Sequence, residues 1–405
     1  MMRALVVSLL IVVPSALGGC LSDDSEEFSW PDVIISDCNI LEEYDLECIE
    51  YLNGLLNPIL SIEHPNLPEL WIIDLNGFII SWSTDSNFDA NNPGTTVADL
   101  GSLIGRCHME QGLLGFAFDD DFENSNKVLL SYIESGPCDG PNQSNLILAY
   151  ATIDAQGKMD SESITTLMEI EQPYRNHNGG HIVSIGEGEY LWGIGDGGSA
   201  NDPEGNGQDD STKLGTILLF SFEGDQISPS SSISSPGEDP YILHYGLRNP
   251  WRFDMDTENR LWISDVGQNC WEEVNLVPMF ESTNFGWAEM EGPQPFEAGG
   301  GCESNNSISS PELVHAYSHN NGNCSITGGF WMDWGPESLL ESYIYGDFCS
   351  GSMWSISDTN GVWENNYLGS VGKMIVGFGK GHSDQLIIFG WDGSIIELRE
   401  KNSEL

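Results

Sequence analysis

The chain has 405 residues, of which 63 are acidic and 13 are lysine or arginine, so its formal net charge is -50 at pH 7. This charge excludes broad electrostatic binding to nucleic acid or to an anionic membrane surface. The 46 glycines and 10% aromatic residues are typical of many short strands joined by tight turns, and they favour one large β domain. The acidity is explained either by adaptation to salty water or by an ordinary solvated acidic face.

Residues 1–19 have the features of a lipoprotein-type signal peptide. A basic start is followed by an apolar stretch, Ala4 to Leu17, which is too short to span a bilayer comfortably. The sequence Leu17-Gly-Gly-Cys20 then resembles a lipobox, with an acidic tether over residues 20–35 behind it. We therefore expect an exported protein, lipid-anchored through Cys20 at the outer face of the cell membrane. Ordinary secretory cleavage is the alternative.

The nine cysteines fit an oxidising compartment, because all except Cys20 can be paired. Their spacing lacks the C-x-x-C pattern of zinc sites. Proximity along the chain suggests three disulfides and elimination suggests the fourth. The expected pairs are Cys38–Cys48, Cys107–Cys138, Cys302–Cys324 and Cys270–Cys349.

A repeated strand phrase indicates the architecture. A short run of β-forming residues that ends in Asp or Gly recurs along the chain, with a degraded sixth copy at Lys127 to Ile133. The other copies are Glu69 to Asp74, Tyr190 to Asp196, Arg260 to Asp265, Tyr343 to Asp347 and Leu386 to Asp392. About sixty residues per copy allow a four-stranded blade and a long loop. We predict an all-β, six-bladed β-propeller over residues 67–400; a β-sandwich is the alternative.

Helical periodicity is scarce in this sequence. The segment from Ile40 to Leu56 is the one plausible helix, within an N-terminal extension over residues 36–66 that we expect to pack outside the propeller.

Two segments carry candidate site chemistry. His177 lies just before one predicted strand, and Asp196 ends the next, so antiparallel pairing could bring the two side chains together. A carboxylate that binds one imidazole nitrogen orients the ring and strengthens the other nitrogen as a base. Gly179 and Gly180 remove bulk, which would let a flat ligand approach the backbone.

Arg248 and the turn after it form the second candidate. A guanidinium aimed into a pocket can stabilise charge on a carbonyl oxygen, although a structural ion pair is the simpler interpretation. The turn Asp265-Val-Gly-Gln-Asn269, with Glu272 and Glu273, is rich in oxygen atoms. Such a donor set suits calcium better than zinc or copper, although many turns of this kind bind nothing.

Eight motifs, in order, resemble the glucose/sorbosone dehydrogenase family, which includes soluble sugar dehydrogenases that use pyrroloquinoline quinone (PQQ). The resemblance runs from about residue 68 to 398 and implies the propeller fold. The motifs are Gly112 to Phe118, His177 to Gly180, Gly195 to Gly198, Gln208-Asp209 before Leu214-Gly215, Leu247 to Phe253, Asp265 to Asn269 with Trp271 to Glu273, Asn284 to Trp287 and Ile326 to Gly329.

The resemblance implies a role for each matched position. His177 would be the general base, Asp196 would orient it, and Arg248 would polarise the quinone carbonyl. The remaining expected contacts are Asn249 and Thr327 to the cofactor, Glu110 and Asn176 to the substrate, and the carbonyls of Gly267 and Gln268 with Glu272 to calcium. Calcium would bridge to PQQ and increase its electrophilicity.

The sequence departs from the family pattern where the cofactor carboxylates are expected to bind. Characterised enzymes supply a Lys and a pair of Arg there, whereas this chain has Cys349, Met374 and Val376. His181 also replaces the Arg that often follows the paired glycines. An anionic cofactor without those cations carries an electrostatic penalty.

Three functions therefore remain open. The first is a calcium- and PQQ-dependent dehydrogenase that oxidises aldose sugars or polyols and passes electrons to an external acceptor. The second is a non-catalytic propeller that binds a protein or glycan, as in relatives of hedgehog-interacting protein. The third is a calcium-dependent sugar lactonase, a chemistry found on other six-bladed propellers.

Overall fold

The structure, a computed structural model, describes residues 38–52, 55–83, 94–298, 312–381 and 384–401. The expected signal peptide, Cys20 and the acidic tether lie outside these residues. Within the described ranges, no helix combines the length and apolar character that crossing a membrane requires.

The described strands form six antiparallel sheets of four or five strands around one axis, so the predicted all-β, six-bladed propeller is confirmed. Successive blades contact one another through their innermost or second strands, and the innermost strand of the last blade contacts that of the first. From the axis outward, blade 1 consists of Pro58–Glu63, Glu69–Asp74, Phe78–Ser83 and Thr95–Asp99, and blade 2 consists of Leu113–Phe118, Lys127–Ile133, Leu146–Ile153 and Met159–Ile170. Blade 3 consists of Ile182–Gly186, Glu189–Ile194, Thr216–Glu223 and Gln226–Pro229, with Ile242–Tyr245 also paired to its third strand, and blade 4 consists of Pro250–Met255, Arg260–Asp265, Trp271–Pro278 and Leu313–Ser318. Blade 5 consists of Ile326–Trp331, Ser342–Asp347, Ser352–Asp358, Trp363–Ser370 and Asn39–Ile40, and blade 6 consists of Ile375–Lys380, Leu386–Gly390, Ile395–Glu400 and Leu46–Leu52.

The remaining described elements are short. They comprise a hairpin of Met290–Glu291 with Gln294–Pro295, one α-helix at Phe122–Ser125, and 3₁₀ turns at Glu42–Tyr44, Asn206–Gln208, Asn320–Gly322 and Glu337–Leu339.

Each copy of the repeated phrase, including the degraded one, forms the second strand of its blade. These strands have a partner on both edges and a neighbouring blade on both faces, so most of their side chains are apolar. Trp71, Trp192 and Trp262 on these strands are each 0% exposed. Burial on both faces explains why the second strands carried the clearest repeat.

The aspartate that ends a second strand holds the start of the innermost strand in the same blade. Its carboxylate accepts hydrogen bonds from two successive backbone N–H groups at 2.7–3.1 Å. The pairs are Asp74 with Leu56 and Asn57, Asp265 with Arg248 and Asn249, and Asp347 with Cys324 and Ser325. These hydrogen bonds satisfy the backbone just before the innermost strand, so the carboxylates fix how the chain enters that strand.

The N-terminal region belongs to the propeller and does not pack outside it. Leu46–Leu52 is the outer strand of blade 6, paired with Ile395–Glu400, and Pro58–Glu63 is the innermost strand of blade 1. The helix expected over Ile40 to Leu56 is therefore wrong, and the propeller begins before residue 67. An open edge on the last strand would leave backbone groups unpaired, and the N-terminal strand satisfies them.

Two of the expected disulfides are confirmed and two are wrong. Cys38 pairs with Cys48 and Cys107 pairs with Cys138, as predicted. Cys324 pairs with Cys349 at a Cα–Cα distance of 5.6 Å, which overturns both Cys302–Cys324 and Cys270–Cys349. The strand register is the reason, because Ile326 lies opposite Asp347 and the two cysteines emerge at the same end of adjacent strands. Separation along the chain carries no information about that register.

Leu46→Ala tests whether the N-terminal strand contributes to the propeller's stability. Leu46 is 1% exposed in the core between blades, so we expect the substitution to lower the free energy of unfolding by about 2–5 kcal/mol. Leu67→Ala is the control, because Leu67 is 46% exposed and should change stability by no more than about 0.5 kcal/mol. Denaturant unfolding measures both, and equal effects would contradict the assignment.

Candidate active site

The structure brings His177, Asp196 and Arg248 together at the boundary between blades 3 and 4. His177 Nδ1 lies 2.7 Å from Asp196 Oδ1, and His177 Nε2 lies 2.8 Å from Arg248 Nη2. All three are buried, with exposures of 0%, 1% and 1%. The expected approach of His177 and Asp196 across antiparallel strands is therefore present in the geometry.

The hydrogen bonds define which imidazole nitrogen carries the proton. A guanidinium has donors only, so His177 Nε2 accepts from Arg248 and is unprotonated. Nδ1 then carries the hydrogen and donates it to Asp196. The ring is a neutral imidazole whose basic nitrogen is covered by Arg248, which is the protonation state that a general base requires.

Trp287 is a site residue to which sequence reasoning gave no role. Its Nε1–H donates to Asp196 Oδ2 at 2.8 Å, and its ring lies 5.5 Å from the guanidinium carbon of Arg248. One indole therefore contacts both partners of His177. The sequence pointed to Trp287 only through the Asn284-Phe-Gly-Trp287 motif. The contacts of its side chain cannot be derived from spacing along the chain.

Arg248 is held by carbonyl oxygens and not by a carboxylate. Its Nη1 donates to Val266 O at 3.0 Å and to Gly267 O at 2.7 Å, and its Nε has no partner among the described residues. The simpler interpretation, a structural ion pair, does not describe these contacts. The positive charge stays available to a group that enters beside His177.

A cavity of about 320 Å³ adjoins this group at the centre of the propeller. Glu110, Asn249, Gln268 and Thr327 line it as polar residues, and its apolar wall includes Trp251, Phe348, Val376 and Trp391. Such a cavity suits a flat aromatic ligand with a few oriented polar groups. Asn176, an expected substrate contact, does not line the cavity; its side-chain oxygen accepts from Ser199 N–H at 3.0 Å.

Glu110 and Asn249 connect the cavity wall to His177. Glu110 Oε2 accepts from the His177 backbone N–H at 2.6 Å and from Asn249 Nδ2 at 3.5 Å. Asn249 Oδ1 accepts from Gly179 N–H at 3.1 Å. A ligand in the cavity therefore meets a carboxylate and an amide that are rigidly linked to the buried imidazole.

The paired glycines serve packing and not the approach of a ligand. Gly180 has a φ of +96°, and a Cβ on it would lie 2.4 Å from Leu114 Cβ. A Cβ on Gly179, at φ +61°, would lie 2.8 Å from Gly193 O. The glycines let the His177 loop press against blade 2 and against the second strand of blade 3.

Two of the three expected calcium ligands, Gly267 and Glu272, are already engaged with other partners. The Gly267 carbonyl accepts from Arg248. Glu272 Oε1 accepts from His319 Nε2 at 2.6 Å, and its Oε2 accepts from Ile326 N–H at 2.9 Å. The described residues contain no group of three or more His, Cys, Asp or Glu that could hold a metal. As arranged here, Gly267 and Glu272 are therefore not free to bind calcium, and the Gln268 carbonyl alone does not make a calcium site, so we derive no step through that ion.

The cavity fits the quinone part of PQQ better than its carboxylates. Thr327 Oγ1 is buried without a hydrogen-bond partner, so it can bind a ligand group, and Asn249 lies beside it in the lining. No lysine or arginine is among the described residues that line the cavity. Lys373 pairs with Asp392 and Glu50, and Lys380 pairs with Asp384. The positions expected to supply cations are occupied by Val376 in the wall and by Cys349 in a disulfide.

Several buried carboxyl groups surround the Arg248 turn. Burial raises the pKa of Glu273 to about 7, and the neighbouring Asp265 carboxylate adds to the rise. Burial likewise raises the pKa of Asp265 and of Glu272 to about 7, against hydrogen bonds that favour their charged forms. In the folded protein these groups bind protons more tightly than in the unfolded chain.

The contribution of these three carboxyl groups to the free energy of unfolding should therefore fall as pH rises. For Glu273, whose pKa is raised from 4.5 to about 7, the stabilising contribution is complete below 4.5 and is lost as pH rises through about 7. We expect Glu273→Gln to flatten the slope by up to about 1.4 kcal/mol per pH unit across this window. Denaturant unfolding between pH 4.5 and 8 measures it, with the exposed Glu63→Gln as control. An unchanged slope in Glu273→Gln would contradict a raised pKa for Glu273.

Comparison with known proteins finds relatives among enzymes and plant proteins. The HIPL1 protein of Arabidopsis thaliana is 26% identical over 415 residues, which cover 85% of this chain and 59% of that protein. Quinoprotein glucose dehydrogenase B of Acinetobacter calcoaceticus is 25% identical over 221 residues, which cover 49% of this chain and 44% of that protein. The chain thus spans less than two thirds of the length of either relative.

A solved structure and a family model complete the comparison. The PQQ-bound form of aldose sugar dehydrogenase from Streptomyces coelicolor superimposes with a TM-score of 0.65 at 19% identity, covering 87% of this chain and 98% of that chain. This likeness concerns the fold alone. The Glucose / Sorbosone dehydrogenase model matches residues 76–340, more than half of the chain. The chain therefore belongs to the Glucose / Sorbosone dehydrogenase family.

Proposed function

We propose that this protein is an oxidoreductase that oxidises a CH–OH group of an aldose sugar or polyol in the central cavity. The observation that carries the proposal is the His177 ring, held between Asp196 and Arg248 directly behind the polar wall of the cavity. Family membership supports the reaction class.

His177 would take the proton of the substrate hydroxyl at Nε2. Asp196 holds the Nδ1–H, so the ring cannot rotate and the imidazolium that forms is stabilised. Because Arg248 Nη2 is hydrogen-bonded to His177 Nε2, this hydrogen bond must break before Nε2 can accept a proton from the substrate. The released guanidinium would then face the group that accepts the electrons. Glu110 would accept hydrogen bonds from further hydroxyl groups of the substrate.

The electron acceptor that we propose is a quinone cofactor of the PQQ type. When bound, such a quinone supplies a two-electron acceptor for the hydride of the CH–OH carbon. Arg248, Asn249 and Thr327 would hold its carbonyl side. No lysine or arginine among the described lining residues pairs with its carboxylates, so we expect PQQ to bind weakly. Calcium assistance remains a prediction from the resemblance.

We further propose that the protein acts outside the cytoplasm, anchored through Cys20, and passes electrons to an external acceptor. The signal-like residues 1–19 and the disulfides Cys38–Cys48, Cys107–Cys138 and Cys324–Cys349 support export.

The test is dye reduction by the purified chain supplied with PQQ, calcium and a panel of aldoses and polyols. We expect His177→Ala to lower kcat by at least about 100-fold, because proton transfer then has no base. His315→Ala is the matched control; His315 lies on the outer strand of blade 4 and should leave kcat unchanged. Dye reduction that survives in His177→Ala would refute the proposed mechanism.

A cation introduced into the cavity wall tests the proposed charge deficit directly. Val376→Arg should tighten PQQ binding about tenfold or more, since one charge-assisted hydrogen bond contributes about 1.5–3 kcal/mol. Val362→Arg adds the same charge at a site that is 61% exposed and should have no effect. Calorimetric titration with PQQ measures both without any turnover. Equal affinities would show that missing cations do not limit cofactor binding.

A non-catalytic propeller that binds a protein or glycan is the second candidate. The absence of lysine and arginine from the described cavity lining favours it, because a bound anionic cofactor would lack counter-charges. No PQQ binding to the wild-type chain and no dye reduction would support this alternative. We do not propose the lactonase, since the described residues hold no cluster of metal-binding side chains.

A further inference from the structure

A second buried arginine lies close to the axis, on the innermost strand of blade 4. Arg252 is 4% exposed and does not line the cavity. Its guanidinium carbon lies 4.8 Å from the centre of the Trp251 ring, and that ring does line the cavity. Trp251 Nε1 in turn donates to Val376 O of blade 6 at 3.1 Å, so the indole extends from blade 4 to blade 6. The Arg252 charge therefore lies against the indole that separates it from the cavity.

This guanidinium is poorly satisfied. Nη1 donates to Trp251 O at 2.9 Å, while Nε and Nη2 are buried without a partner among the described residues. Burial lowers the pKa of Arg252 to about 9, and no carboxylate offsets that effect. Asp254, two residues along, accepts from Trp331 N–H, and Arg252 is not among the charges that shift its pKa. Although the chain has 63 acidic residues, none of those that the structure describes pairs with this buried cation.

One residue from each neighbouring blade packs against Arg252. His181, just before the innermost strand of blade 3, has its Nδ1 buried without a hydrogen bond among the described residues. The His181 ring packs on Phe253 at 4.9 Å, and burial together with the Arg252 charge lowers its pKa, so His181 is neutral. Gly328 of blade 5 lies against Arg252 as well, since a Cβ on Gly328 would lie 2.5 Å from Arg252 Cβ. We name Arg252 and His181 the axial polar cluster.

We propose that the axial polar cluster binds a small monovalent anion, such as chloride, from solution. Arg252 Nε–H and Nη2–H are the donors, and the anion supplies the counter-charge that no described residue provides. A buried guanidinium with two free donors costs several kcal/mol unless it is paired. The chain is strongly acidic, but Arg252 places a positive charge in its interior, which an anion would neutralise. The site is separate from the proposed redox chemistry and does not require it.

The test uses the purified chain, without cofactor, in sodium chloride exchanged against sodium gluconate at constant ionic strength. We expect the thermal unfolding midpoint to rise with chloride concentration and to saturate, as binding to the folded state alone requires. Arg252→Met should abolish this dependence. Arg260→Met is the matched control, because the Arg260 guanidinium already pairs with Asp256. Chloride dependence that is identical in Arg252→Met and in the wild type would overturn the proposal.

Two further measurements keep the test decisive if Arg252→Met does not fold. Arg252→Lys keeps the positive charge but lacks the Nε–H donor, and we expect it to weaken the chloride affinity about tenfold through one lost hydrogen bond. Crystals grown in sodium bromide should show an anomalous peak within hydrogen-bond distance of the wild-type guanidinium. Water alone at this position, or an unchanged affinity in Arg252→Lys, would contradict anion binding. Neither result depends on whether the chain oxidises sugars.

Discussion

The structure depends on a carboxylate at the end of the second strand of a blade. In blades 1, 4 and 5 this carboxylate accepts two backbone N–H groups and so fixes the start of the innermost strand. In blade 3 the equivalent Asp196 accepts the imidazole Nδ1–H of His177 instead. A position that is structural elsewhere in the ring thus orients the candidate base. The candidate base is held as rigidly as the strands are, because its partner carboxylate occupies the same position in the blade.

Charge is the second constraint, because a chain with 63 acidic residues buries two arginines near the axis. Arg248 is satisfied by carbonyl oxygens and by His177, so its charge is available beside the cavity. Arg252 lacks such partners, which is why we assign it an anion. The described cavity lining has no lysine or arginine, which disfavours binding of a cofactor with three carboxylates. Asn249 and Thr327 in the same lining can still hydrogen-bond to the carbonyl groups of a quinone. Cofactor affinity and catalytic geometry are therefore separate questions in this protein.

Much of the fold could be predicted because second strands are buried on both faces and must carry a recognisable apolar phrase. The N-terminal strand could not be predicted in the same way. Leu46–Leu52 is an outer strand whose partner, Ile395–Glu400, lies at the other end of the chain. The Cys324–Cys349 bond was missed for a related reason, since it follows from the register of two adjacent strands. Long-range pairing leaves little trace in local composition.

The sequence by itself determined the six-bladed fold, the acidic surface and the identities of His177, Asp196 and Arg248, since repeats, charge and residue types are local properties. Only the tertiary structure decided that these three meet, that Arg248 covers the basic nitrogen, and that Trp287 contacts both Asp196 and Arg248. It also decided that Asn176 lies away from the cavity lining and that Glu272 is saturated by hydrogen bonds. These outcomes depend on strand register and on packing between blades, which set distances that spacing along the chain does not encode.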